Sequence, residues 1–257
     1  MADTGKVVLI TGGGSGMGRE AARRFATEGA TVALFDVNTA GMAETAGTFD
    51  SIHSWTVDMT DFAAVCAAVR EVEEKLGPVE RLYNCAAIMP FGKLVEQDNA
   101  IIHKQMAINY GGLVNITQAV LPGMLQRGRG DFVSFASMAG LIPMLLTGAY
   151  TASKFAVVAF TETLYHENMH SGVRFACVCP PAVATPLLQQ GKDTAWPKML
   201  DSQSAPIAPR QVIEAVEECL KKGTFYVLPT RDAKIGAIMR RFAPGLIWKQ
   251  VHQVEGF

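Results

Sequence analysis

The chain has 257 residues, 23 Lys+Arg against 24 Asp+Glu, and a formal net charge of −1. That balance offers no basic patch for nucleic acid and no acidic tail, and the length suits one large α/β domain with a full core. Only Lys6 precedes the first strand, no stretch reaches the ~18 uninterrupted apolar residues of a membrane span, and the five scattered cysteines match no zinc spacing; a reducing cytoplasm and no metal are expected.

The apolar run at 6–10 reads as a strand buried on both faces. It leads into Thr11-Gly12-Gly13-Gly14-Ser15-Gly16-Met17-Gly18, and a helical pattern follows with Ala21, Ala22, Phe25 and Ala26 on one face. Strand, glycines and helix in this order suit a pyrophosphate, because glycine lets backbone approach closely and the helix N-terminus supplies N–H groups. From Gly12 the spacing is G-x3-G-x-G rather than the general G-x-G-x-x-G. A second apolar run, 31–35, ends at Asp36, near the distance expected of an acid that binds an adenosine ribose. A carboxylate there accepts from both ribose hydroxyls and repels a 2′-phosphate. No Arg or Lys stands in the turn or at 37–38 to hold that phosphate. NAD is therefore expected over NADP.

Alternation of strand and helix continues. A short helix is expected at 39–47, a strand at 52–57 ending at Asp58, and an amphipathic helix at 60–76 stopped by Gly77-Pro78. Asp58 reads equally as an N-cap for that helix. A strand at 79–83 runs into Asn84-Cys85-Ala86-Ala87. A long helix covers about 99–126, a fifth strand 131–136, a fifth helix 150–170 and a sixth strand 173–179, where Cys177 and Cys179 read as core. A helix at 209–221 and a final strand at 225–228 complete the count. This is a seven-stranded, mostly parallel sheet covered by helices on both faces, in one domain over 1–257. Residues 181–208 break the alternation and read as a mobile lid.

Tyr150-Thr151-Ala152-Ser153-Lys154 places a phenol and an ammonium one helical turn apart. A phenol ionises near ~10. A cation at ~4 Å, at an effective dielectric of ~20, favours phenolate by about 4 kcal/mol, or roughly 3 pK units. On that reading Lys154 brings Tyr150 into range as a general acid/base. Ser137 lies 13 residues upstream at the end of a β-like run.

Together these residues resemble the short-chain dehydrogenase/reductase family, over roughly residues 5–230. The resemblance implies a Rossmann-type doubly wound α/β fold and an alcohol dehydrogenase or ketone reductase. Tyr150 would be proton donor and acceptor. Lys154 would lower its pKa and hold the nicotinamide ribose. Ser137 would bond the substrate oxygen, and Asn109 would order a relay water. The cofactor set it implies is Gly12, Ser15, Gly16, Met17, Gly18, Asp36, Asp58, Met59, Asn84, Ala86, Tyr150, Lys154, Pro180, Val183 and Thr185. Asn84-Cys85-Ala86-Ala87 departs from the family's Asn-Asn-Ala-Gly, and Pro180-Pro181 from its Pro-Gly; both affect loop geometry and neither removes a reacting group. An epimerase or dehydratase on the same fold, and a non-catalytic dinucleotide sensor, are the alternatives.

The pocket residues expected are Ile88, Met89, Met138, Leu141, Met144, Leu145, Leu187, Leu188 and Trp196. They are almost all apolar and include no cation, so a bulky uncharged secondary alcohol or ketone is expected. The stretch 233–257 is amphipathic with a basic side; it covers the pocket or a neighbouring subunit, packs as core, or touches a membrane surface. Apolar residues of the helices at 99–126 and 150–170 (Ile116, Ala156, Val157, Phe160, Leu164) together with the resemblance imply a homodimer or homotetramer.

Overall fold

Alternation of side chains along each strand sorts the core into two layers, one on either face of a single sheet. In β1 (Val7–Thr11), Val7 and Leu9 join one buried cluster with Val65, Val69 and Val72 of α3 (Phe62–Leu76) and Leu113, Ile116 and Val120 of α5 (Gly112–Arg127). Val8 and Ile10 join the opposite cluster with Phe25 of α1 (Gly16–Thr27) and Val212, Ile213 and Val216 of α9 (Pro209–Lys222). The computed structural model describes residues 4–201 and 205–256.

The other strands are β2 (Thr31–Asp36), β3 (Ile52–Thr56), β4 (Val79–Asn84), β5 (Gly130–Phe135), β6 (Val173–Val178) and β7 (Tyr226–Val227). Their order is β3-β2-β1-β4-β5-β6-β7, with every pairing parallel. The winding reverses between β1 and β4, and the crevice beyond their carboxyl ends is where a Rossmann-type sheet takes a dinucleotide.

Several boundaries differ from the sequence reading. The helix expected from 60 begins at Phe62, because Asp61 caps it: its carboxylate accepts from the Ala64 N–H at 3.0 Å. Asp58 therefore does not cap. The helix expected over 99–126 is two, α4 (Asn99–Met106) and α5, joined by a π-helical turn at Ala107–Gly111. The final strand is only two residues long. The segment 181–208 holds two short helices, α7 (Pro186–Lys192) and α8 (Lys198–Asp201); residues 202–204 lie outside the described residues. The remaining helices are α2 (Thr39–Ala46), α6 (Gly148–Glu167), α10 (Arg231–Phe242) and α11 (Pro244–Glu255). Of the residues read as surplus apolar surface, Ile116 and Val157 are fully buried, and Phe160 and Leu164 pack against the core.

One polar cluster crosses the sheet away from the crevice. Arg81, Asp131 and Arg174 are register neighbours on β4, β5 and β6. Arg81 Nε donates to Asp131 Oδ2 at 2.7 Å and Arg174 Nε to Asp131 Oδ1 at 2.6 Å. Glu217 of α9 accepts from Arg81 Nη1 at 3.1 Å and from the Tyr83 hydroxyl at 2.6 Å.

Candidate active site

Two cavities meet over the carboxyl ends of the strands. The first, about 330 Å³, is lined by Gly12, Ser15, Gly16, Met17 and Gly18 of the turn, by Asp36 and Asp58 at two strand ends, and by Met59, Ala86 and Ile88. Gly12 has no room for a side chain. Gly12 sits at φ 67°, and a Cβ there would lie 2.8 Å from the Ala86 N. The Asp36 carboxylate is aimed by two backbone donors, Gly14 N–H to Oδ2 at 2.8 Å and Asn38 N–H to Oδ1 at 2.9 Å. Each oxygen keeps a lone pair for a further donor. The cation nearest the turn is Arg19, and it is turned onto α2. It pairs with Glu44, and its Nη2 donates to the Gly14 carbonyl at 2.7 Å. Asp58 is held below the usual carboxylate range by the backbone N–H and hydroxyl of Thr60. A glycine cradle beside an oriented carboxylate fits a dinucleotide with free ribose hydroxyls.

Asn84 does not line this cavity. Its Oδ1 accepts from the Thr11 hydroxyl at 2.7 Å, and Thr11 Oγ1 accepts from the Ala86 N–H at 3.2 Å. It ties β4 and the loop beyond it to the end of β1, a cross-strand link rather than a cavity contact.

The second cavity, about 580 Å³, shares Met17, Cys85, Ala87, Thr185 and Leu187 with the first. Ser137, Tyr150 and Lys154 stand in its wall, with Pro180, Val183 and Thr185. Gly140 lets the Ser137 turn approach α6: a Cβ there would lie 2.7 Å from the Lys154 carbonyl oxygen. The Ser137 hydroxyl is near enough to the Tyr150 phenol to draw its pKa down. Lys154 Nζ donates to the Phe135 carbonyl at 2.8 Å and lies 5.8 Å from the Tyr150 ring centroid.

The electrostatics overturn one expectation. Burial pushes the Tyr150 phenol up to about 12, and the Ser137 hydroxyl draws it back only partly. Burial also lowers Lys154, to about 8. Both charged forms lose water here, and the ammonium spends a hydrogen bond on the Phe135 carbonyl. Desolvation therefore outweighs the attraction inferred from spacing.

Asn109 sits in the π-helical turn, almost fully buried. Its Oδ1 accepts from the Ile88 N–H at 2.8 Å; its Nδ2 donates to the Ile88 carbonyl at 3.0 Å and to Ser153 Oγ at 2.9 Å. Ser153 Oγ in turn donates to the Tyr150 carbonyl at 2.7 Å. Both amide hydrogens are committed to protein, so this side chain ties the loop at Ile88 to α6. Ser153 was missed, although its place three residues after Tyr150 puts it on the same helical face.

Met89, Met138, Met144, Leu187 and Leu188 line the cavity as expected. Leu145 and Trp196 do not. Leu146 takes a left-handed backbone, φ 65°, reversing the chain beside Leu145. Trp196 stands behind Phe91, ring centroids 6.2 Å apart, and donates to Asp201 Oδ1 at 2.7 Å. Of the other two, Leu141 does not line it and Ile88 lines the smaller cavity. Phe91 and Ile142 form wall that sequence reasoning did not name, and Ile235, Met239, Ile247 and Val251 line it from the tail, one of the placements the sequence allowed for 233–257. The tail is thus part of the cavity wall. Among the described residues, Lys154 and Asp232 are the charged side chains in that wall, and no group of three or more His, Cys, Asp or Glu could hold a metal.

A parallel sheet of this order, a glycine cradle with a ribose-directed carboxylate, and a Ser-Tyr-Lys constellation define a nucleotide-dependent oxidoreductase. The short chain dehydrogenase family profile matches residues 6–196, and the chain belongs to that family. It is 36% identical over 199 residues to 2-(S)-hydroxypropyl-CoM dehydrogenase 3 of Xanthobacter autotrophicus, covering 74% of this chain and 77% of that protein. It is 32% identical to estradiol 17-beta-dehydrogenase 11 of Pongo abelii, covering 76% and 68%. A short chain dehydrogenase/reductase from Burkholderia phymatum, solved in complex with NAD, superposes with a TM-score of 0.86 at 28% identity, covering 96% of both chains.

Proposed function

We propose that the chain interconverts a bulky, uncharged, hydrophobic secondary alcohol and its ketone, with NAD as hydride acceptor or donor. The observation that carries this reading is an apolar cavity of about 580 Å³ whose wall bears Tyr150 and Ser137. That volume suits a ligand of steroid or terpenoid size, and a relative named for estradiol is consistent with it.

The residues that would hold NAD are the Gly12–Gly18 turn, Asp36 and Lys154, with Asp58 at the adenine end and Val183 and Thr185 at the carboxamide end. The cofactor supplies the hydride chemistry. The protein's part is proton transfer and orientation. Tyr150 takes the hydroxyl proton in oxidation and returns it in reduction. Ser137 donates to the substrate oxygen. Asn109 and Ser153 hold the Tyr150 turn of α6 in place. The segment 186–201 serves as a lid, tied in this structure by Met89 N–H to Gln190 Oε1 at 2.5 Å, Phe91 N–H to Thr194 Oγ1 at 2.8 Å and Met199 N–H to Glu255 Oε1 at 2.8 Å.

Cofactor choice tests the reading. With Asp36 aimed into the cavity and Arg19 paired to Glu44, kcat/KM for NAD exceeds that for NADP by about tenfold or more. Equal values would refute the assignment.

We also infer a homodimer or homotetramer. The residues that support it are Leu94, Val95, Met106 and Phe155, large apolar side chains left exposed near or on α4 and α6. Light scattering at micromolar concentration gives a dimer or tetramer on this reading; a clean monomer would contradict it.

A further inference from the structure

Helices α10 and α11 wall the cavity on one side and face solvent on another. Ile235, Ile238 and Phe242 fall at i, i+3 and i+7 along α10 and are 53%, 60% and 78% exposed. Leu246, in the first turn of α11, is 59% exposed. Single exposed leucines need no explanation, but a stripe of large apolar side chains does.

The two flanks of the stripe differ. Around the helix in one direction come Asp232, Gly236 and Met239, which line the cavity as Ile235 itself does. Around the other come Lys234 and Arg241, both exposed. Arg231 and Lys249 are exposed as well, and Arg240 lies on the far side of α10. Residues 231–255 thus hold five cations against two carboxylates, Asp232 and Glu255, in a chain whose net charge is −1. An apolar stripe therefore joins the cavity wall at one edge and a cationic border at the other.

We propose that this face docks on an anionic lipid surface, with Ile238, Phe242 and Leu246 at the acyl boundary and the cations among the headgroups. The cavity wall would then lie beside the phase into which a hydrophobic alcohol partitions. Docking of this kind needs no spanning helix, and no helix among the described residues is long and apolar enough to cross a membrane. A second copy is the poorer occupant, because it would bring two sets of these cations together.

Vesicle binding is read without turnover, so this inference stands or falls apart from the reaction proposed above. The experiment is co-sedimentation of the full chain with phosphatidylcholine vesicles, with and without phosphatidylserine. Partitioning is expected to rise about tenfold or more with phosphatidylserine and to fall with added salt. Phe242→Asp and Ile238→Asp, neither of which lines the cavity, are expected to lower it about tenfold while circular dichroism stays unchanged. Lys234→Glu with Arg241→Glu is expected to abolish the preference for anionic vesicles. No binding to phosphatidylserine vesicles, or binding indifferent to these substitutions, would overturn the proposal. So would a drop in oligomer size on Phe242→Asp, which would assign the face to a second copy.

Discussion

Tyr150→Phe is expected to lower kcat by about 10²–10⁴-fold, the usual worth of a positioned acid/base, while NAD binding measured by fluorescence titration stays intact. The ring remains, so its packing against Phe91, centroids 6.0 Å apart, is kept; only the proton carrier is lost. The pH profile sharpens the expectation. Burial pushes the phenol up to about 12, and alcohol oxidation needs the deprotonated form. Its rate therefore climbs with pH through the neutral and alkaline range, while ketone reduction, which needs the protonated form, stays level there. Ser137→Ala removes the hydroxyl that draws the phenol down and shifts the oxidation profile to higher pH. A Tyr150→Phe enzyme that kept most of its kcat would show that another group carries the proton.

Arg81→Met has the second large effect, on stability. Arg81 is almost wholly buried between Asp131 and Glu217, with side-chain exposures of 4%, 6% and 12%. Its aliphatic replacement leaves two buried carboxylates sharing the Arg174 and Tyr83 donors. Stripping one partner from such a buried cluster costs about 3–5 kcal/mol. Thermal denaturation should show Tm lower by on the order of 10 °C, with kcat per folded molecule unchanged because the cluster touches neither cavity. A shift of a degree or two would mean that the remaining donors suffice.

The parts of the site legible in the sequence are those fixed by spacing on one element or by one turn. Tyr150 and Lys154 sit one helical turn apart, Gly12–Gly18 follows a buried strand, and Asp36 ends the next; each is a local pattern with few alternatives. Features set by contact between distant segments were not legible. Ser153 matters only because the π-helical turn brings Asn109 against it at 2.9 Å. Phe91 lines the cavity from a loop with no period to read. Leu145 and Trp196 have the right composition, but side-chain direction in a loop is set by backbone reversals such as the one at Leu146. Burial is likewise a property of the assembled fold. The spacing of Tyr150 and Lys154 suggested an acidified phenol, whereas burial of Tyr150 among Met89, Phe91 and Ala139 pushes it the other way.

The most direct test of the central claim is turnover with NAD across a panel of secondary alcohols, followed by the reduced-nicotinamide absorbance. The account predicts that kcat/KM rises with apolar bulk, with steroid, terpenoid or aryl alcohols above short polar ones and anionic alcohols lowest. A panel led by short polar or anionic alcohols would contradict it.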